Sequence, residues 1–192
     1  MNNLVKSLFA FLLLLSSTSS NAALIDTVTW NGTNYGLLSA GTWLDVQAEA
    51  VSLGGNLVTI NSAAEQDFLF GLWGEDGTAD FTFFALWIGY TDMVIDGDFQ
   101  WISGESSSFT QFAVNEPNND GGDEDYVWMQ KWTGQLANGS TVTDGIAWND
   151  ASISYNLIGG VVEFTANVPS PSVSSLFFLM LCSIVIVRVK AK

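Results

Sequence analysis

Between Ile102 and Tyr126 the chain runs through a long polar stretch with little hydrophobic periodicity. A segment of that length without structure of its own is uncommon in a compact domain and is usually functional. It has to be held by well-formed elements on either side, and both flanks supply them. Upstream, apolar-polar alternation at Ile25 to Trp30 and at Tyr35 to Leu38 predicts two strands around an Asn31-Gly32 turn. A helix is predicted from Thr42, where Asp45 has capping-box spacing. Val46, Ala50 and Leu53 then share a face, and Gly54-Gly55 ends the helix. Leu57 to Ile60 reads as a short strand. A second helix is predicted from Ser62, with Glu65 completing a capping box and Phe68, Leu69 and Leu72 as its buried stripe. Gly71 and Gly74 weaken its end. Strands are then expected at Ala85 to Tyr90, Phe99 to Ile102, Tyr126 to Gln130, Gly145 to Trp148 and Gly160 to Phe164. Helices early and strands late indicate an α+β domain of two helices and mostly antiparallel strands around one long loop.

The loop carries Asn115-Glu116-Pro117-Asn118-Asn119-Asp120-Gly121-Gly122-Asp123-Glu124-Asp125, and Trp148-Asn149-Asp150 follows later. Asp92 and Asp96 bracket a turn after Trp87-Ile88-Gly89-Tyr90. So many carboxylates and amides in one region repel one another unless a cation neutralises them. Calcium takes six to eight oxygens at about 2.3–2.6 Å from such groups. A transition metal is less suited, because the chain has no histidine and its single cysteine is Cys182, near the C-terminus. The same absences remove a Ser-His-Asp or Cys-His nucleophile and a His or Cys zinc site from the segment before the tail.

Both ends read as addresses. Lys6, the apolar run Leu8 to Leu15 and the small residues up to Ala22 fit a signal peptide over residues 1–22. At the other end, the apolar run Val173 to Val187 precedes Arg188, Lys190 and Lys192, an orientation that places the domain outside the cell. Fifteen residues of helix reach only about 22 Å, short of a hydrocarbon core of about 30 Å. With Val168-Pro169-Ser170-Pro171-Ser172 just ahead, residues 167–192 resemble a bacterial PEP-CTERM sorting tail read by an exosortase, with Ser170 where that motif has Glu. Residues 23–166 remain as one domain. All 20 acids lie between Asp26 and Glu163 against Lys131 as the only base, a net charge of −19. Such a field repels nucleic acid and anionic lipid.

The string Trp43, Leu53-Gly54-Gly55-Asn56-Leu57-Val58-Thr59-Ile60, Trp87-Ile88-Gly89, Glu116-Pro117-Asn118, Trp148-Asn149-Asp150 and Val162-Glu163-Phe164 resembles a C-type lectin domain, in order, from about Tyr35 to Phe164. The resemblance implies a C-type lectin-like fold and a calcium site built by Glu116, Asn118, Glu124, Asn149 and Asp150, with a cis Glu116-Pro117 bond. It further implies that Glu116, Asn118, Glu124 and Asn149 bind a sugar of mannose, glucose or fucose type, since Glu precedes Asn. A second calcium is implied at Asp92, Asp96, Asn119, Glu124 and Asp125, where Asp96 is shorter than the usual Glu and Asn119 replaces an acid. The family's half-cystines would fall at Ala50 with Val162 and at Tyr126 with Ile153, all apolar or aromatic here.

These features together predict a non-enzymatic, calcium-dependent binder of a glycan or exopolysaccharide, exported to the cell envelope, surface or extracellular matrix. The alternative is a calcium-stabilised structural or protein-binding matrix module. A glycoside hydrolase would need two carboxylates set apart by environment, and no pair in the sequence stands out in an apolar setting. Trp43, Trp87, Trp101, Trp128 and Trp148 read as core, whereas Trp132, in a polar stretch, is a candidate for stacking on sugar. Asp96-Gly97-Asp98 also reads as a plain turn.

Overall fold

The computed structural model describes residues 23–165 except Asp76, Phe81 and Leu157. The signal segment, the PEP-CTERM-like motif and the apolar tail lie outside the described residues. Eight strands and two helices follow one another as β1 (Leu24–Trp30), β2 (Thr33–Gly41), α1 (Trp43–Ser52), β3 (Gly55–Leu57), α2 (Ala63–Trp73), β4 (Ala85–Thr91), β5 (Gln100–Trp101), β6 (Tyr126–Gln135), β7 (Thr141–Ala151) and β8 (Ile158–Phe164). Between β5 and β6 the chain forms only one 3-10 turn, Asp120–Gly122. Among the described residues no helix is long and apolar enough to cross a membrane.

The sheet runs β1-β2-β8-β4-β6-β7, with β3 on β8 and β5 on β4. Every pairing is antiparallel except β4 with β8. Asn31 (φ 49°) and Gly32 (φ 89°) close the β1-β2 hairpin in the left-handed region, as the Asn-Gly signal predicts. Both helix starts are also as expected. The Thr42 hydroxyl caps α1 by accepting from the Asp45 N–H at 3.2 Å, and Ser62 does the same for α2 from the Glu65 N–H at 3.2 Å.

The two faces of the sheet carry separate cores. On one, Trp43, Val46 and Ala50 of α1 pack with Leu57, Trp87, Tyr126, Trp128 and Val162. On the other, Leu69, Phe70 and Trp73 of α2 join Ile88, Trp101, Phe112 and Trp148. All five tryptophans assigned to the core are buried. Ala50, Val162 and Tyr126, with Ile153 packed against them, belong to the α1-side core, so apolar contact fills the places implied for the family's half-cystines.

The predicted stripe of α2 is shifted. Phe68 and Leu72 are only half buried, whereas Gln66, Leu69, Phe70 and Trp73 are buried. The shift follows from Glu65, which sits inside with both oxygens satisfied by the Tyr35 hydroxyl (2.5 Å) and the Asn61 N–H (2.7 Å). The predicted Leu57–Ile60 strand ends at Leu57. Val58 donates its N–H to the Val161 carbonyl (2.8 Å) and accepts the Gly89 N–H at its own carbonyl (2.9 Å), and so bridges β8 and β4 instead of extending one ladder. That crossing requires Gly89, since a Cβ there would lie 2.4 Å from the Leu57 carbonyl oxygen. Gly89→Ala is expected to cost about 1–3 kcal/mol, read as a lower urea midpoint with an unchanged slope; an unchanged midpoint would show that the crossing has slack.

Candidate functional site

The long loop is fastened to the ends of β4 and β7 by side-chain and main-chain hydrogen bonds. Asp150, near the end of β7, is fully buried. One of its oxygens accepts from the Asn118 N–H (3.1 Å) and the other from the Asn119 N–H (2.8 Å). The Glu116-Pro117 bond is cis. At the far end of the loop, the Asp125 carbonyl accepts from the Thr91 hydroxyl (2.6 Å) and the Asp92 N–H (3.2 Å). A third tie joins the Ser152 hydroxyl to Asp123 at 3.1 Å. The family resemblance implies Asp150 as a metal ligand, but nothing in the sequence marks Thr91, Asp123 or Ser152 as fastenings.

Two oxygen-rich groups result. In the first, the Glu116 carboxyl meets that of Asp150, with the Asn118 side chain and the Glu124 charge close by. Glu124 also accepts from the Asp120 N–H (2.8 Å). Asn149 is turned so that its amide donates to the Asp150 carbonyl. In the second, the Asp92 carboxyl accepts from the Gly97 N–H (2.8 Å) and feels the charges of Asp125 and Asp96. Asn119 stands between the groups. Its main chain serves Asp150, its amide NH2 donates to Asp96 (2.8 Å), and its amide oxygen accepts from the Glu124 N–H (3.2 Å). The structure therefore gathers Glu116, Asn118, Glu124 and Asp150 in one group and Asp92, Asp96, Asn119 and Asp125 in the other, while Asn149 adjoins the first through the Asp150 carbonyl.

Electrostatics mark the first group as short of positive charge. The Glu116 carboxyl is pushed up to about 7 by burial, then by the adjacent Asp150 carboxyl and the charges of Asp150 and Glu124. Glu124 and Asp92 are also raised, chiefly by burial. One buried oxygen in each group has no hydrogen-bond partner: Oε2 of Glu116 and Oδ1 of Asp92. A buried carboxylate oxygen without a donor is costly, and a hard cation relieves that cost. Among the described residues no three carboxylates alone are gathered closely enough to hold a metal ion. The fit to calcium accordingly depends on the amide oxygens of Asn118 and Asn149 as much as on the acids. In the second group the Asn119 amide already serves the Asp96 carboxylate, so that pair is partly satisfied without an ion.

Other expectations fare differently. Trp132 is half buried, donates to the Gln135 carbonyl (3.3 Å) and packs on Ala113, Leu136 and Ala147 as part of the β6-β7 hairpin. Asp96-Gly97-Asp98 is indeed a turn, with Gly97 at φ 79°, and it also positions Asp92. Away from the loop, Glu163 stands out more than its sequence position indicated. Burial, then the charge of Glu105, raises it to about 7, and both acids line a cleft of about 340 Å3 with Asn34, Asn56 and Ser103. Its carboxylate accepts from the Thr59 N–H at 3.3 Å.

With this geometry in view, comparison with known proteins is direct. A family model for the lectin C-type domain matches residues 39–144. Echinoidin of Heliocidaris crassispina is 37% identical over 75 residues, which cover 39% of this chain and 50% of echinoidin. The C-type lectin CEL-I from Cucumaria echinata superposes with a TM-score of 0.60 at 26% identity, covering 77% of this chain and 100% of that one. The C-type carbohydrate-recognition domain of cow CD23, solved in the presence of GlcNAc2Man3 oligosaccharide, gives 0.55 at 26% identity, covering 77% and 99%. The chain spans half or less of the length of the first curated relatives it matches.

Proposed function

The chain belongs to the C-type lectin domain family, whose model spans more than half of it, and on that premise we propose that it is a calcium-dependent binder of sugars of mannose, glucose or fucose type. Carbohydrate binding is supported at the level of the family. The observation that carries the finer reading is the partnerless, buried Oε2 of Glu116, held against Asp150 and beside Asn118.

Glu116, Asn118, Glu124, Asn149 and Asp150 would hold the ion. Bound calcium supplies coordination for two vicinal hydroxyls of a pyranose. The residues of the chain set the polarity around it. The Glu116 carboxylate accepts a hydrogen bond from one hydroxyl, and the Asn118 amide donates to the other. That order of acceptor and donor selects the hydroxyl arrangement. Asp150 keeps the loop in place from below through the two main-chain hydrogens it accepts. Asp92, Asp96, Asn119, Glu124 and Asp125 form a second and weaker candidate group, since Asn119 already neutralises part of it. We further propose that residues 1–22 direct export and that residues 167–192 form a sorting segment handled by an exosortase-type protease. That places the domain at the cell envelope, the surface or a biofilm-like extracellular matrix, where an exopolysaccharide is an available ligand.

A glycan array in calcium and in chelator, with wild type and a Glu116→Gln/Asn118→Asp variant, tests the reading. Wild type is expected to select mannose-type glycans only with calcium, and the variant to move towards galactose. Binding indifferent to chelator would overturn the calcium step. No binding under any condition would leave a calcium-stabilised matrix module.

A further inference from the structure

The tip of the β6-β7 hairpin, Ala137 to Ser140, is exposed throughout and carries the pair Asn138-Gly139. Leu136 and Ser140 close it. The Leu136 N–H donates to the Ser140 carbonyl (2.8 Å), and the Gly139 N–H donates to the Leu136 carbonyl (2.9 Å). This is the hairpin loop in which a glycine takes the left-handed place, here Gly139 at φ 86°. Asn138 adds a second ring to the turn. Its side-chain oxygen accepts from the Ser140 N–H (2.9 Å) and from the Ser140 hydroxyl (2.7 Å). A side chain bonded to the main chain ahead of it is folded along its own backbone, which brings the Asn138 Cγ towards the Gly139 nitrogen. Nothing stands within 4 Å of the place a Gly139 Cβ would take.

The conditions for attack by a main-chain nitrogen on a side-chain amide are met together here. The nucleophile follows directly in the chain and no side chain shields it. The carbon it would attack is held near it, so ring closure needs little reorganisation. The oxygen on which negative charge develops already has two donors, the arrangement that stabilises an oxyanion. One bond opposes the reaction, from the Gly139 N–H to Leu136, but it lies in an exposed loop, where local opening is least costly. The other Asn-Gly pair, Asn31-Gly32, lacks this arrangement. Asn31 is held at φ 49° in the tighter β1-β2 turn, and its side-chain oxygen has no donor among the described residues.

We propose that Asn138 is a self-modifying residue, which converts without an enzyme to isoaspartate and so loosens the anchorage of the long loop. The Gly139 nitrogen gives its proton to solvent and bonds to the Asn138 Cγ. The bond from Cγ to the side-chain nitrogen breaks, and ammonia leaves. Water then opens the cyclic imide. Cleavage at the new Cγ–N bond yields aspartate; cleavage of the original Asn138-Gly139 peptide bond yields isoaspartate, whose main chain runs through Cβ. The net change is water in and ammonia out, with no oxidant or reductant. The extra main-chain carbon falls inside a turn that also grips the long loop. Ala137 donates to the Phe112 carbonyl (2.9 Å), Val114 donates to the Gln135 carbonyl (3.0 Å), and Ala113 bridges to Leu136. Glu116 follows shortly after Val114, so the grip lies just ahead of the oxygen-rich groups.

Ageing the protein at mildly alkaline pH, then mapping peptides by electron-transfer dissociation to separate aspartate from isoaspartate, tests this. Asn138 is expected to gain the mass of an amide-to-acid exchange about tenfold faster than Asn31, the factor that one net hydrogen bond to the oxyanion supplies. In urea, where the turns are lost, the two sites should react alike. Ser140→Ala deletes one donor from an exposed position and should slow Asn138 about threefold while leaving Asn31 unchanged. Hydrogen exchange at the Ala137 and Val114 amides should quicken on ageing in wild type and stay constant on ageing in Asn138→Ser, which cannot cyclise. Equal rates at the two sites in the native protein, or an undiminished rate in Ser140→Ala, would overturn the proposal. Modification without faster exchange would overturn its link to the long loop. None of these readouts needs calcium or sugar, so their outcome is independent of the lectin reading above.

Discussion

In millimolar calcium the domain is expected to melt about 5–11 °C higher than in chelator, if the ion is present at a hundred times its dissociation constant. Saturation to that degree adds about 2.7 kcal/mol to stability, and for a domain of this size each kilocalorie raises the midpoint by about 2–4 °C. The gap should widen as pH rises from 5 to 8, for a reason the geometry supplies. Glu116 is raised in the folded state to about 7, first by burial and then by Asp150 and Glu124, from an ordinary value of 4.5. Folding without metal therefore binds a proton between those two values. The stability this contributes is complete below the lower value and is lost as pH passes the upper one. Glu163, raised to about 7 by burial and Glu105, acts in the same direction. Calcium needs the deprotonated carboxylate, so it gains affinity over the window in which the metal-free protein weakens. Differential scanning calorimetry at several pH values, with calcium and with chelator, reads both trends. A calcium increment that stays flat or shrinks across that range would remove Glu116 from the donor set.

Asp150 offers the second large effect, and two substitutions separate its two roles. Asp150→Ala removes the acceptor for the Asn118 and Asn119 main-chain hydrogens inside a fully buried position. It should cost about 2–4 kcal/mol even without metal, since hydrogen bonds to a charged acceptor are worth about 1.5–3 kcal/mol each and relief of the Glu116 repulsion offsets part. Asp150→Asn keeps one acceptor oxygen and the shape but not the charge. Because both carboxylate oxygens accept in the wild type, it gives up one of the two main-chain bonds and should lose about 1–2 kcal/mol in chelator, less than the Ala variant, while gaining little or nothing from calcium. Urea denaturation with and without the ion distinguishes the outcomes. If the Asn variant still gains the wild-type increment, Asp150 is a purely structural fastening.

These expectations draw on features that were unequally legible in the sequence. The helix starts at Thr42 and Ser62 were readable, because a cap is a local pattern of one hydroxyl and one N–H three residues on. The lengths of β6 and β7 were not. Beyond Gln130 and before Gly145 these strands leave the two main cores as a hairpin held by its ladder, by the Lys131–Asp144 ion pair at 3.1 Å and by a small cluster of Ala113, Leu136 and Ala147 with Trp132 and Val142, too few apolar residues to mark an alternation. The inward turn of Glu65 was hidden for the opposite reason. Its partners, the Tyr35 hydroxyl and the Asn61 N–H, lie on different segments, and only the packed fold brings them to one carboxylate. At the site, the oxygen-bearing residues were visible from their order and type. The hub position of Asn119 was not, because spacing does not reveal which main-chain hydrogen a distant carboxylate accepts.

The apolar filling at Ala50, Val162, Tyr126 and Ile153 leaves residues 23–165 without a single thiol. No oxidative step stands between the unfolded and folded chain, and no wrong pairing can trap it. Reductants such as dithiothreitol should leave the melting curve of residues 23–165 untouched, and refolding from urea should need neither an oxidant nor a disulfide isomerase. The same domain would fold in a reducing cell interior and in an oxidising exterior alike, leaving ion supply, and not redox state, to distinguish the two compartments.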